Sequence, residues 1–242
     1  MTVEIKHRWT GAVLHVVDAD SLRGADLRGA SLQDADLRYA NLYHAYLYSA
    51  DLKGADLESA NLRSADLYSA DLRGVNLQDA DLYHAYLYSA ELKGAYLKGA
   101  NLESADLRGA DLRGVNLQDA NLYHAYLYSA DLKGAYLKGA NLESADLRDA
   151  NLRGARLPTG ETWEAYLAET VPALLTAGGK SLSSFVEHWD NCPVAHAFDV
   201  ERLDDVPAPW RLKARKFAGF FDAGLIPVGV VTEGPSKGDE VK

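Results

Sequence analysis

The chain has 242 residues, 48% of them apolar, and a formal net charge of −10 at pH 7. That length allows one large domain or two small ones with a real core, and the acidic balance disfavours nonspecific attraction to nucleic acid phosphates or anionic lipid. The single cysteine, Cys192, excludes an intrachain disulfide and fits a reducing compartment.

Residues 1–19 lie outside the five-residue register that governs the middle of the chain. The stretch MTVEIKHRWTGAVLHVV lacks the apolar h-region of a secretion signal, and no run approaches the ~20 apolar residues of a membrane span. The expectation is a cytoplasmic protein without membrane association. VEIKHRW and AVLHVV flank Thr10-Gly11 and read as two short strands. They predict a β cap over 1–19 that covers an otherwise open strand edge.

From 20 to 158 the chain is a repeat. Leucine occupies position 22 and every fifth position to 157, 28 in all. Alanine, or twice valine, stands two residues before nearly every one. On an α-helix a step of five turns about 500°, so successive leucines would spread round the helix without forming a stripe. On a straight strand an odd step sends them to alternate faces. A third path satisfies the pattern. An alanine and the leucine two residues on share one side of a short extended segment, and three residues remain to turn a corner. Four like corners close a square, so one coil takes twenty residues and the 28 units make about seven coils. At ~4.8 Å between stacked strands the rod is about 34 Å long. The chain also copies itself, for residues 82–108 and 122–148 differ only at Glu91 and Asp131. Forty residues are two coils, so duplication lengthens the rod and repeats its surface.

The unit A-[D/N]-L-x-x, in register 28 times, resembles the pentapeptide-repeat family. The resemblance implies a mainly β fold, a right-handed quadrilateral parallel β-helix. It implies no shared catalytic motif. Its best-understood members mimic the DNA duplex and bind DNA gyrase, which makes a type II topoisomerase a possible partner.

The register ends at Pro158-Thr159-Gly160, and a helical pattern begins there. Trp163, Tyr166, Leu167, Leu174 and Leu175 fall before Gly178-Gly179. Ser181 is placed to cap a second helix, Asn191 a third, and Ala214, Phe217, Ala218 and Phe221 make one apolar face of a fourth. A small α-helical domain is expected over 159–228 and a loose tail over 229–242. Its aromatic content suggests a homodimer through the C-terminal helices. His188, Cys192 and His196 have ligand-like spacing, but Pro193 breaks the helix that would align them, so no metal, cofactor or catalytic group is expected.

On the rod, residues twenty apart share a face. Asp51, Asp71, Glu91, Asp111 and Asp131 form an acidic column beside Lys53, Arg73, Lys93, Arg113 and Lys133, so that face is near neutral. His44, His84 and His124 recur every second coil, about 9.6 Å apart, too far to share a metal; they are expected to be exposed turn residues. Ten of the fourteen tyrosines gather on two adjacent faces: Tyr43, Tyr83 and Tyr123 on one, and Tyr46, Tyr48, Tyr68, Tyr86, Tyr88, Tyr126 and Tyr128 on the next. They flank inward leucines, so they should point outward. Tyrosine offers apolar area with a polar tip, which makes this corner a candidate docking surface for a protein partner. The competing reading has them shield the sheet and stack on arginines such as Arg63 and Arg108. The expected function is a non-catalytic scaffold, the alternative a DNA-mimicking topoisomerase inhibitor.

Overall fold

The computed structural model describes residues 1–162 and Ala165. Packing divides the chain into two units, Met1–Trp163 and Glu164–Lys242. The expected helices of 159–228, the tail, the homodimer contact and the His188, Cys192 and His196 group fall, from residue 163 on, outside the described residues.

The repeat forms a stack of flat coils. Parallel bridges join each residue before a leucine to the residue twenty positions on, from Asp26↔Tyr46 to Tyr136↔Arg156. The twenty-residue coil is therefore read directly from the pairing. Within each unit the leucine and the preceding alanine point inward. Leucines from Leu32 to Leu137 are at most 3% exposed, and Val75 and Val115 fill alanine positions without exposure. Leu142, Ala40 and Ala150 are half-buried exceptions. Alanine suits its place because a narrow tube has no room for a second large side chain beside each leucine.

Backbone hydrogen bonds explain why the unit has five residues. In the unit of Leu87, the leucine N–H donates to Asp106 O on the next coil at 2.7 Å, and the Tyr86 N–H donates back to Ala65 O at 2.9 Å. The corner is a turn in which the Ala90 N–H donates to Leu87 O at 3.0 Å. From Leu22 to Leu152 the second residue after each leucine turns the corner with positive φ, whether glycine or not: Gly94 at 68°, Ser89 at 55°, His84 at 54°. Serine, aspartate and histidine accept a left-handed backbone only at some cost, and glycine at none.

The fifth N–H of the unit, on the residue after the leucine, has no backbone partner in the ladder. The side chain before the leucine takes it. In 19 of the 28 units that residue is Asp or Asn, and in every one its Oδ1 accepts this N–H at 3.1–3.4 Å. This is the Asx turn, in which a short side chain imitates a backbone acceptor. The recurrent carboxylates thus have a structural reason to recur. On one face Asn101, Asn121 and Asn141 also join into a ladder, each Nδ2 donating to the Oδ1 one coil back at 3.0–3.3 Å.

The two ends differ. Strand β1 (Val3–His7) pairs antiparallel with β2 (Val13–Val17) and, on its other edge, with β3 (Ala35–Asp36). The N-terminal hairpin therefore lies along the first coils, with Ile5 buried beneath it. Arg8 ties it down further, its guanidinium donating to Gly54 O at 3.0 Å. At the far end the chain reverses after Leu157. The Gly160 N–H donates to Leu157 O at 2.7 Å, and Arg156 bridges antiparallel to Thr162. Among the described residues no helix is long and apolar enough to cross a membrane.

Candidate functional site

Stacking at twenty-residue intervals turns the tyrosine-rich corner into three columns. The residues before the leucines alternate strictly: Asp26, Tyr46, Asp66, Tyr86, Asp106, Tyr126, Asp146, each bridged to the next. The residues after those leucines form a second column, and the third, on the adjoining face, carries Tyr43, Tyr83 and Tyr123. The first two expose their rings. Tyr46, Tyr86 and Tyr126 are more than half exposed, and Tyr48, Tyr68, Tyr88 and Tyr128 are 37–44% exposed. Tyr43, Tyr83 and Tyr123 are half-buried, less outward than their spacing suggested. The reason lies in their neighbours: each packs against the next histidine, with ring centroids 4.1–4.2 Å apart, and arginines cover Tyr43 and Tyr83 at 5.0 and 4.4 Å.

The second column is an aromatic ladder. Tyr48, Tyr68 and Tyr88 stack with centroids 5.2 and 5.4 Å apart and planes within 14° of parallel. Arg108 then lies 5.6 Å from the Tyr88 ring, and Arg148 lies 5.8 Å from Tyr128. Arg63 and Arg108 do stack on tyrosines, yet the exposed rings still line an open groove of about 780 Å³ along Tyr46, Tyr86, Tyr48, Tyr68, Tyr88 and Asp66. Arg108, named from the sequence as a stacking partner, also borders the groove, whereas Asp66 was not singled out by sequence. The available signal was Tyr68, which stands where Arg28, Arg108 and Arg148 occupy the same column.

The carboxylates here and on the neighbouring faces are mostly engaged. The Arg28 side chain, hydrogen bonded to Asp26, holds that carboxyl at about 2. Arg148 likewise lowers Asp146, Arg73 lowers Asp71 and Arg113 lowers Asp111, in each case chiefly through its side-chain hydrogen bonds. Arg73 also reaches Glu91 at 3.3 Å, and Arg113 reaches Asp131 at 3.8 Å. The acidic column thus meets its arginines as the sequence suggested, partly across coils. The lysines between them make no ion pair within 4 Å among the described residues. His44, His84 and His124 are exposed corner residues with φ of 54–56°. Among the described residues no group of three or more His, Cys, Asp or Glu is placed to hold a metal ion.

The profile of the Pentapeptide repeats family matches this chain in eight copies, over 21–54, 40–79, 80–119, 90–127 and 120–157. Together these cover 137 of the 242 residues. No curated protein matches the chain. Among solved structures, HetL, a pentapeptide repeat protein involved in heterocyst differentiation regulation from the cyanobacterium Nostoc sp. strain PCC 7120, is 37% identical. That match covers 58% of this chain and 75% of HetL with a TM-score of 0.30. Rfr23 from the cyanobacterium Cyanothece 51142 is 41% identical over 38% of this chain and 63% of its own, with a TM-score of 0.37. QnrB1, a plasmid-mediated fluoroquinolone resistance protein, is 20% identical over 61% and 84%, with a TM-score of 0.46. None of these three superpositions reaches 0.5, so the repeat profile rather than these overlays carries the assignment.

Proposed function

The chain belongs to the pentapeptide-repeat family, and we propose that it is a non-catalytic scaffold of about seven coils that presents its tyrosine-rich corner to a protein partner. The observation that carries this reading is the alignment of seven exposed tyrosines in two adjoining columns beside an open groove. Stacked rings lose little side-chain freedom on binding, and each offers apolar area with a hydroxyl at its rim. A reducing, cytoplasmic setting suits the single Cys192. The test is affinity capture on the intact chain and on a Tyr46→Ser, Tyr86→Ser, Tyr126→Ser variant. A partner held by the first and lost from the second supports the corner. Equal retention of every captured protein by both would remove it.

A second reading, mimicry of DNA toward a type II topoisomerase such as gyrase, draws on the acidic column from Asp51 to Asp131. A mimic needs carboxylates free along its length, whereas Arg73 and Arg113 engage Asp71, Glu91, Asp111 and Asp131. Inhibition of gyrase supercoiling at stoichiometric protein would restore this reading to first place, and no effect would retire it.

A further inference from the structure

In the column of Asp26, Asp66, Asp106 and Asp146 every aspartate but one has an arginine two residues on. Arg28, Arg108 and Arg148 lay forked guanidinium groups on Asp26, Asp106 and Asp146, with N–O distances of 2.6–2.8 Å. Asp66 is the exception. Two residues on stands Tyr68, whose ring is held in the stack between Tyr48 and Tyr88. The Asp66 carboxylate accepts the Tyr68 N–H through Oδ1 at 3.1 Å, and among the described residues it makes no ion pair. It is half-buried, borders the groove, and is bridged on one side to Tyr46 and on the other to Tyr86.

We propose that Asp66 receives an arginine side chain from a protein partner, its guanidinium forked on the carboxylate and flanked by the rings of Tyr46 and Tyr86. This rests on the reading of the corner as a docking surface and names the residue type that enters it. The chain supplies its own precedent two coils along the same face. There Asp106 lies between Tyr86 and Tyr126, and the guanidinium forked on it, that of Arg108, approaches the Tyr88 ring. An arginine fits this place better than a lysine. Its planar fork matches both carboxylate oxygens and lies flat against tyrosine, whereas an ammonium is a compact, strongly hydrated point charge. Backbones of Tyr46 and Tyr86 are two strand spacings apart, about 9.6 Å, which leaves room for one planar group between them. Residues 20–157 carry 20 acidic and 15 basic side chains, and that net charge of −5 draws a cationic segment toward the rod.

The probe is N-acetyl-arginine methylamide, titrated into the full chain with ¹³C-labelled tyrosine and followed by the ring resonances. Saturable shifts at Tyr46 and Tyr86 are expected, with the neutral citrulline analogue at least about tenfold weaker, as loss of a charge-assisted pair implies. Asp66→Asn should weaken the arginine probe by a similar factor. That variant keeps its turn, because Asn61 and Asn101 make the same bond to the N–H two residues on. Tyr68→Arg should abolish binding by filling the place from within. Equal binding of the citrulline analogue, undiminished binding by Asp66→Asn, or no saturable shift would each overturn the proposal. Selecting a random-peptide library on the full chain separates the two levels. Binders that need Tyr46 and Tyr86 but tolerate Asp66→Asn, with no essential arginine, leave the docking corner standing and sink the arginine seat. Absence of any tyrosine-dependent binder sinks both.

Discussion

Replacing Asn101 with alanine isolates what the polar shell contributes to the rod. Three side-chain hydrogen bonds end at this residue. Its Oδ1 accepts the Glu103 N–H at 3.2 Å and the Asn121 Nδ2 at 3.3 Å, and its own Nδ2 donates to Asp81 Oδ1 at 3.0 Å. A typical bond contributes about 0.5–1.5 kcal/mol net. The site is only part-buried, which favours the lower half of that range, so Asn101→Ala should cost about 2 kcal/mol. The reverse change is available at Tyr96, which stands before Leu97 and makes no Asx bond. Tyr96→Asn supplies the missing acceptor for the Lys98 N–H between Asn76 and Asn116, and should stabilise by about 1 kcal/mol. Stacked repeats can open unit by unit, so amide exchange is the sharper readout beside a guanidinium midpoint. The Glu103 amide should exchange roughly thirtyfold faster in Asn101→Ala, the equivalent of that energy. If both variants unfold within about 0.3 kcal/mol of the parent and exchange is unchanged, the Asx bonds merely accompany the fold.

Leu87→Ala removes a side chain with no exposure and should cost about 2–5 kcal/mol by urea or guanidinium unfolding; a cost below about 1 kcal/mol would mean the tube collapses to fill the gap. Gly99→Ala and Gly114→Ala share a left-handed corner, at φ 69° and 64°, but only at Gly99 would the added methyl run into the Asp79 side chain. Both variants should lose about 1 kcal/mol to backbone strain, Gly99→Ala measurably more, and equal midpoints would contradict the clash. Arginine side chains hold Asp71 and Asp111 below the ordinary carboxylate range, so their stabilisation is present above about pH 4 and lost as pH falls through the lowered values. The drop in thermal midpoint from about pH 6 to about pH 3 should therefore be smaller in an Asp71→Asn, Asp111→Asn variant, and an identical drop would show these pairs to be inert.

The period of five was enough to place the core, because only an inward alanine–leucine pair with a corner between reconciles that spacing with burial. Leu72, Leu92 and Leu112 lie where the arithmetic put them. The hairpin strands were legible from Thr10-Gly11 and its flanks. What the letters hid was how corners are made. Ser89 and His84 give no sign of a left-handed backbone, since their φ is imposed by the coil on either side of them rather than by their own preference. The Asn101 to Asn141 ladder was equally hidden, because it needs the coil stacking before its members become neighbours. At the candidate site, spacing alone grouped the ten tyrosines but could not divide them. Tyr46 and Tyr86 protrude, while Tyr43 and Tyr83 fold under a histidine edge and an arginine.

Duplication bears on whether the corner means anything. Copying two coils at a time reproduces an alternation, and the column of Asp26, Tyr46, Asp66, Tyr86, Asp106, Tyr126 and Asp146 keeps to it without a fault. The partner column should then read arginine, tyrosine, arginine, tyrosine, and it does at Arg28, Tyr48, Tyr88, Arg108, Tyr128 and Arg148. Tyr68 departs from it. Copying explains many tyrosines on this face, but not one in the position that leaves a half-buried carboxylate without the arginine its counterparts have. A tyrosine there joins Tyr48 and Tyr88 into one stack of three, and that gain is structural. Stacking alone does not require Asp66, since an asparagine keeps the turn without an unpaired charge. A half-buried carboxylate without a cation costs stability that an asparagine would not, unless a cation arrives from outside. Asp66→Asn should therefore stabilise the isolated chain by removing the charge, whereas Tyr68→Arg makes the Asp66 pair but gives up both ring stacks and should leave stability nearly level. Thermal midpoints decide the matter: if Asp66→Asn does not raise stability, the unpaired carboxylate carries no penalty and gives no reason to expect a partner's arginine.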